Sequence, residues 1–182
     1  MDQAKRERFI ARFSRALDRE NHLQGHGIPD YVEPFNFSNG PQENMYSELD
    51  HEQVLDMFFK ECERNGTKYV RTSEADLAKT VIDVINDWGN GKVIFPKVEQ
   101  MDRYGIRAAF EADNIEERSY LEWDAEKGRE YNIGNAQDAE IGITFPMAGI
   151  AETATVIQPS DAGSGRSIAL LPLTNISIVR AD

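Results

Sequence analysis

The stretch DAEIGITFPMAGIAETATVIQPSDAGSGRSIALLPLTNISIVRAD, residues Asp138 to Asp182, decides how this chain is read. Within it Ile141 to Thr144, Ala154 to Ile157 and Asn175 to Val179 are short runs of β-forming residues separated by Gly, Pro and Ser. Such runs predict closely connected strands. Ile176 and Ile178 alternate with Asn175, Ser177 and Val179, as they do in a strand with one face more deeply buried than the other.

Working back from that stretch, the signals change from strand-rich to alternating. Asp50 followed by Gln53 resembles a capping box, and Val54, Leu55, Phe58, Phe59 and Cys62 then share one helical face up to Asn65 and Gly66. Lys68 to Arg71, centred on Tyr69 and Val70, reads as a short strand. Ser73 with Asp76 repeats the capping logic, and Leu77, Val81, Ile85 and Trp88 carry an apolar face to Gly89. The sequence Gly89, Asn90, Gly91, Lys92 stops that helix and turns the chain into a strand, Lys92 to Phe95, ended by Pro96. Signals are weaker from Val98 to Asn135, with a helix around Met101 to Phe110, an extended piece near Tyr120 to Trp123 and a helix from Asp124. Strand, helix, strand with a further helix ahead is the order of an α/β domain with largely parallel pairing.

The amino-terminal part reads differently. Phe9, Phe13 and Leu17 recur at four-residue spacing between Asp2 and His22, forming the narrow stripe of an amphipathic helix that suits packing on its own domain or self-association. From Gln24 to Glu48 Pro29, Pro34 and Pro41 break any period, and Tyr31, Phe35 and Phe37 are the rings expected to anchor an extended connection. The expected division is residues 1–48 as helix and linker and 49–182 as the α/β domain.

Composition limits the partners. A chain of 182 residues with 40% apolar side chains buries one substantial core. Its formal charge of −12 repels phosphate backbones and anionic lipid, which argues against nucleic acid and membrane surfaces. No secretory leader or run of about 18 apolar residues is visible, so a cytoplasmic protein is expected. Cys62 is alone, which excludes an intrachain disulfide and an iron–sulfur cluster held by four cysteines of this chain. His22 and His26 are four apart, but Gly25 and Gly27 oppose the helix that would pair them as metal ligands, and His51 sits at a helix start. No metal site is assigned.

Two groups of residues could carry chemistry. Glu152, Thr153 and Thr155 place a carboxylate and two hydroxyls at the start of an apolar strand, where a shielded carboxylate serves as nucleophile or general base. A solvated turn with locally satisfied threonines explains the same spacing. The loop Ser160 to Ser167 offers Gly163, Gly165 and Arg166 for wrapping N–H groups and a guanidinium around an anion. A plain connection with Arg166 exposed is the competing reading.

DAEIGIT (Asp138 to Thr144), IAETATVI (Ile150 to Ile157), GRS (Gly165 to Ser167), LLP (Leu170 to Pro172) and ISIV (Ile176 to Val179) occur in an order and spacing that resembles the lactate utilization protein C family, the LUD domain. The resemblance implies a three-layer α/β/α, Rossmann-like fold with a largely parallel central sheet, akin to ribose-phosphate isomerases and CoA transferases. It implies a part in bacterial oxidation of L-lactate to pyruvate beside iron–sulfur partner proteins, this chain being the cluster-free accessory subunit with no cofactor of its own. By analogy with CoA transferases, it lends Glu152 the role of nucleophile; the residues set beside it as ligand- or anion-binding candidates are Thr153, Thr155, Gly163, Gly165 and Arg166. The alternative it leaves is a CoA-transferase-like or isomerase-like enzyme, or a binding domain, for a small carboxylated or phosphorylated metabolite. Two departures stand out: Ala154 occupies the place of the family's glycine in an ETGT-like block, and the family continues with another helix, strand and late loop where this chain ends at Asp182.

Overall fold

The computed structural model describes residues 44–88, 91–113 and 118–181, together with Glu7 and Ala11. Packing divides the chain into Met1–Ser47 and Glu48–Asp182. In the first unit Glu7 and Ala11 are helical and exposed, and a turn is closed by the Ser47 N–H donating to the Asn44 carbonyl at 3.1 Å. The Phe9, Phe13, Leu17 stripe, the two amino-terminal histidines and Tyr31, Phe35 and Phe37 lie outside the described residues.

The second unit opens with α1 (His51–Arg64), which begins where the capping signal places it. The Asp50 carboxylate accepts the Gln53 N–H at 2.9 Å and the Gln53 side chain accepts the Asp50 N–H at 2.8 Å, satisfying two donors a helix start leaves open. The helix buries Cys62 and half-buries Val54, Leu55, Phe58 and Phe59, and Gly66, at φ +72°, turns the chain away.

The strand expected at Lys68 to Arg71 does not form. Val70 is 62% exposed, the Tyr69 ring stacks on Phe59 at 4.5 Å and the Lys68 ammonium lies over Trp88 at 5.1 Å. Side-chain contacts with helices hold this segment in place of a backbone ladder. Next, α2 (Leu77–Trp88) buries Val81 and Ile85, whereas Trp88 is largely exposed.

The alternating part then runs β1 (Lys92–Phe95), α3 (Glu99–Arg103), α4 (Ile106–Ala112), β2 (Ser119–Glu122), a 3-10 turn (Ala125–Lys127), α5 (Gly128–Asp138) and β3 (Ile141–Thr144). The single helix expected over Met101 to Phe110 is two, because Gly105 at φ +68° breaks the axis between them. Both halves still bury their apolar side chains, Met101, Ile106 and Phe110. After β3 come β4 (Ala148–Ile150), β5 (Thr155–Ile157), α6 (Ser167–Leu170) and β6 (Thr174–Ser177).

The main sheet has the order β2, β1, β3, β6 and is parallel throughout. Val93 stands beside both Tyr120 and Ile141, and Ile143 beside Ile176. Alternation sends side chains to two faces. On one, Val93, Phe95, Ile141 and Ile143 meet Val81 and Ile85 of α2 and Ile106 and Phe110 of α4, with Ile176 and Ile178 at the margin. On the other, Ile94 meets Ala136 of α5, Ala139 and Ile168 of α6. Helices thus cover both faces, giving the α/β, Rossmann-like architecture with a parallel central sheet. The approach of α5 is set by buried Asn132, whose amide donates to the Asp124 and Gly128 carbonyls at 2.7 and 2.8 Å and accepts the Asp124 N–H at 3.0 Å.

The last third departs from the expected strands in detail. β6 ends at Ser177, so Val179 is outside it; β5 begins at Thr155, with Ala154 in the preceding turn. β4 and β5 form an antiparallel hairpin apart from the main sheet. No described helix is long and apolar enough to cross a membrane.

Candidate functional site

From β1 the chain moves outward to β2 and then returns past β1 to β3. In an open parallel sheet that reversal leaves a crevice beyond the carboxyl ends of the two diverging strands, where ligands bind. Pro96 and Lys97 follow β1 there, Phe145 and Pro146 follow β3, and Trp123 follows β2.

The loop Ser160 to Ser167 lies over the ends of β1 and β2. The Lys97 N–H donates to the Gly163 carbonyl at 2.8 Å, and the Trp123 indole N–H donates to the Ala162 carbonyl at 3.0 Å. A β-carbon on Gly163 would stand 2.4 Å from the Lys97 carbonyl oxygen, and one on Gly165 would stand 2.1 Å from the Trp123 ring. Close approach to the sheet therefore accounts for both glycines. The Asp161 carboxylate accepts the N–H groups of Gly163 and Ser164, each at 2.8 Å. An incoming anion would meet these two donors already engaged. Arg166 sits exposed at the start of α6.

Glu152 and Thr153 occupy the exposed turn of the β4–β5 hairpin, and Thr155 opens β5. The Thr153 hydroxyl donates to the Thr155 hydroxyl at 2.8 Å, and the Asn65 amide donates to the Thr153 carbonyl at 3.2 Å. The hairpin thus leans on the carboxyl end of α1, with Gly149 close against the Phe58 ring. Ala154 has φ +52°, so the position where the family resemblance calls for glycine is indeed left-handed backbone. The candidates form two sets, Glu152, Thr153 and Thr155 on the hairpin and Gly163, Gly165 and Arg166 over β1 and β2. Among the described residues no hydrogen bond or ion pair joins the sets.

A cleft of about 330 Å³ lies beyond the carboxyl ends of β3 and β6. Its lining includes Arg103 and Tyr104 beside Gly105, Phe145 and Pro146 after β3, and Ile178 and Arg180 after β6. The Tyr104 ring stacks on Phe145 at 6.3 Å and the Arg103 guanidinium lies over Tyr104 at 5.3 Å. Sequence reasoning passed over both arginines. The signal that finds Arg180 is its position just past a parallel strand; Arg103 is recognised only once α3 is placed over that strand end. On the opposite sheet face, at the ends of β3 and β6, buried Thr144 and half-buried Ser177 have their hydroxyls 3.2 Å apart, and the Asn175 amide donates to both, at 3.2 and 2.7 Å. Among the described residues no group of histidine, cysteine and acidic side chains could hold a metal ion.

Residues 55–182 match the LUD domain family model. The chain belongs to the LUD domain family. A relative named lactate utilization protein C from Macrococcus caseolyticus is 32% identical over 94% of this chain and 68% of its own length. The protein of that name from Bacillus subtilis is 30% identical over 95% of this chain and 70% of its own. Among solved structures, a DUF162-family protein from Deinococcus radiodurans superposes with a TM-score of 0.55 at 20% identity, covering 74% of this chain and 73% of that one. This LUD domain and that protein share a fold. Inside the LUD-matching region fall all six candidate site residues and both arginines of the cleft.

Proposed function

We propose that this LUD-domain protein takes part in lactate utilization as a cluster-free accessory subunit in the oxidation of L-lactate to pyruvate, acting with iron–sulfur proteins. The observation that carries the reading is about 30% identity to lactate utilization protein C of Bacillus subtilis along 95% of the chain. Its chemistry supports the division of labour. The one cysteine of the sequence cannot ligate a four-cysteine cluster. Cys62 is also buried, and burial together with neighbouring Glu63 pushes its thiol above the ordinary range, which keeps it unreactive. The electrons of lactate oxidation would then pass through partner proteins. Glu152 and Arg166, both exposed, would contribute from the surface of the domain.

Affinity purification of the tagged full chain from cells of its source grown on L-lactate tests this reading. Recovery of iron–sulfur proteins with the chain, at levels that fall in cells grown without lactate, is the expected result. Unimpaired growth on L-lactate after deletion of the gene, in a strain with no other lactate-oxidising route, would overturn it.

A further inference from the structure

We propose that the extended segment Lys68 to Thr72, laid across α1 and α2, is an edge that captures a β-strand of a partner protein, one bearing a single carboxylate to face Lys68. The inference concerns a surface separate from Glu152, Arg166 and the cleft, and does not depend on the pathway in which the chain works.

Conformation is the first argument. The Tyr69 ring stacks on Phe59 of α1 at 4.5 Å, and the Arg71 guanidinium lies over the same ring at 5.5 Å. Val70, between them, is 62% exposed. On the other helix, the Lys68 ammonium lies over Trp88 at 5.1 Å and the Thr72 hydroxyl stands 2.8 Å from that of Thr80. Contacts at i and i+2 with the intervening side chain turned outward are the period of a strand. None of the five residues has positive φ.

The backbone is the second. The Thr67 N–H donates to the Cys62 carbonyl at 2.8 Å, closing α1, and the Ser73 carbonyl accepts the Asp76 N–H at 3.2 Å ahead of α2. Between them, among the described residues, no N–H or C=O of residues 68–72 is hydrogen-bonded. All five residues are exposed. An extended run with open backbone groups is a template for another strand, and addition of an extended peptide to such an edge is a recurring mode of recognition. Tyr69, Val70 and Thr72 are strand-forming residue types, so the strand that the sequence predicts here lacks only its neighbour.

Charge decides the occupant. Around the segment stand the carboxylates Glu52, Asp56 and Glu63 of α1. Glu52 pairs with Arg71 at 3.4 Å, and Glu63 accepts the Tyr69 hydroxyl at 3.0 Å. Just beyond, Glu74 pairs with Arg103, and Asp76 accepts the Ser73 hydroxyl. Lys68 rests on the Trp88 ring and, among the described residues, has no carboxylate within ion-pair distance. A second copy does not supply one. Antiparallel pairing about Val70 sets Lys68 opposite Thr72 of the other copy, a shift of one residue sets it opposite Arg71, and parallel pairing in register opposes the two Lys68 ammoniums. Cations on an edge exclude such like strands and admit one of opposite charge. The formal charge of −12 repels a run of acidic residues, so the complement is one carboxylate in an otherwise uncharged strand, with an apolar side chain beside Val70.

The test is amide hydrogen exchange, followed by NMR, on the full chain titrated with two capped peptides of alternating threonine and valine, one with a central glutamate and one with a central lysine. The expected result is saturable binding of the glutamate peptide, about fivefold tighter than the lysine peptide, with slowed exchange confined to residues 68–72. Lys68→Glu should reverse the preference. Val70→Pro removes an N–H that bonds to nothing in the described chain and suits extended backbone on both sides, so it should keep the thermal unfolding midpoint and abolish binding. Absence of saturable binding, protection elsewhere in the chain, equal affinity for the two peptides or wild-type affinity in Val70→Pro would each overturn the assignment. Protection of residues 68–72 that grows with protein concentration, with no peptide added, would give the edge to a second copy and overturn it as well. If Val70→Pro fails to fold, the Lys68→Glu reversal decides. None of these readouts involves lactate, so the edge can stand where the lactate reading fails, and the reverse.

Discussion

Two small residues of the carboxyl-terminal stretch show how much is decided by a single β-carbon. Gly142 lies in β3 beneath α6, where an added β-carbon would stand 2.0 Å from the Ile168 carbonyl oxygen and 3.1 Å from the Pro172 ring. Backbone cannot swing aside as a flexible side chain can. Gly142→Ala should therefore lower unfolding free energy by about 1–3 kcal/mol, the usual penalty of overpacking, measured by urea denaturation with an unchanged slope. Ala154 is the converse case, a side chain where φ is +52°. A left-handed non-glycine residue costs about 1–2 kcal/mol, and glycine's greater unfolded-state freedom returns roughly 0.5–1 kcal/mol of that. Ala154→Gly should accordingly raise stability by up to about 1 kcal/mol in the same assay; a loss of stability would contradict the turn geometry. The need for glycine at residue 154 was legible from the motif, whereas at Gly142 the sequence offered only membership of the DAEIGIT block. The neighbour that forbids a side chain there comes from α6, more than twenty residues downstream.

At the level of elements, caps and apolar spacing located α1 and α2 because both signals act within a turn or two of helix. Removing the capping carboxylate with Asp50→Ala should cost about 1 kcal/mol, seen as an earlier thermal unfolding midpoint with unchanged helix content before the transition. β2 is held differently. The Tyr120 ring stacks on Phe110 at 4.0 Å, its hydroxyl donates to Asp113, and Asp113 also accepts from Arg118. Burial first, and then the bond to Asp113, push the Tyr120 phenol up to about 12 from its ordinary 10.0. The fold thus favours the neutral phenol. Its stabilisation is whole below pH 10 and is lost as pH rises through about 12. The urea midpoint should fall across that window, and Tyr120→Phe should make the fall shallower; an identical fall in the variant would refute the assignment. The strand misread at Lys68 to Arg71 failed for the related reason that β-propensity describes fit to a neighbouring strand. Among the described residues Tyr69 and Val70 have no such neighbour, and Phe59 takes the ring instead.

For the molecule as a whole, the sheet order creates the site more than any motif does. The loop carrying Gly163 and Gly165 proved to be packed on Lys97 and Trp123, and the hairpin carrying Glu152 proved to lean on α1. Neither set of residues lines the cleft at the ends of β3 and β6. The amino-terminal stripe Phe9, Phe13, Leu17 supplies a further prediction at this scale, that the chain self-associates through it. Light scattering of a chain lacking Met1 to His22 should report a smaller oligomer than the full chain, and an identical mass for the two would reject that role.

The sequence alone determined the α/β class, the two amino-terminal helices of the domain, the parallel strands β1, β3 and β6 to within two residues, and the family. Each of these depends on periodicity, caps or short blocks in register, which are properties of neighbours along the chain. Tertiary structure alone decided that Gly105 splits one helix into two without losing its buried face, that β4 and β5 leave the main sheet, and that Arg103 and Arg180 share a cleft. The physical reason is sequence distance. Arg103 precedes β2 and Arg180 follows β6, and only the return of the chain past β1 brings the α3 and β6 ends together. The stretch from Asp138 to Asp182 therefore carries the family signature, while four of the ten residues lining the cleft it helps to build come from residues 99–104.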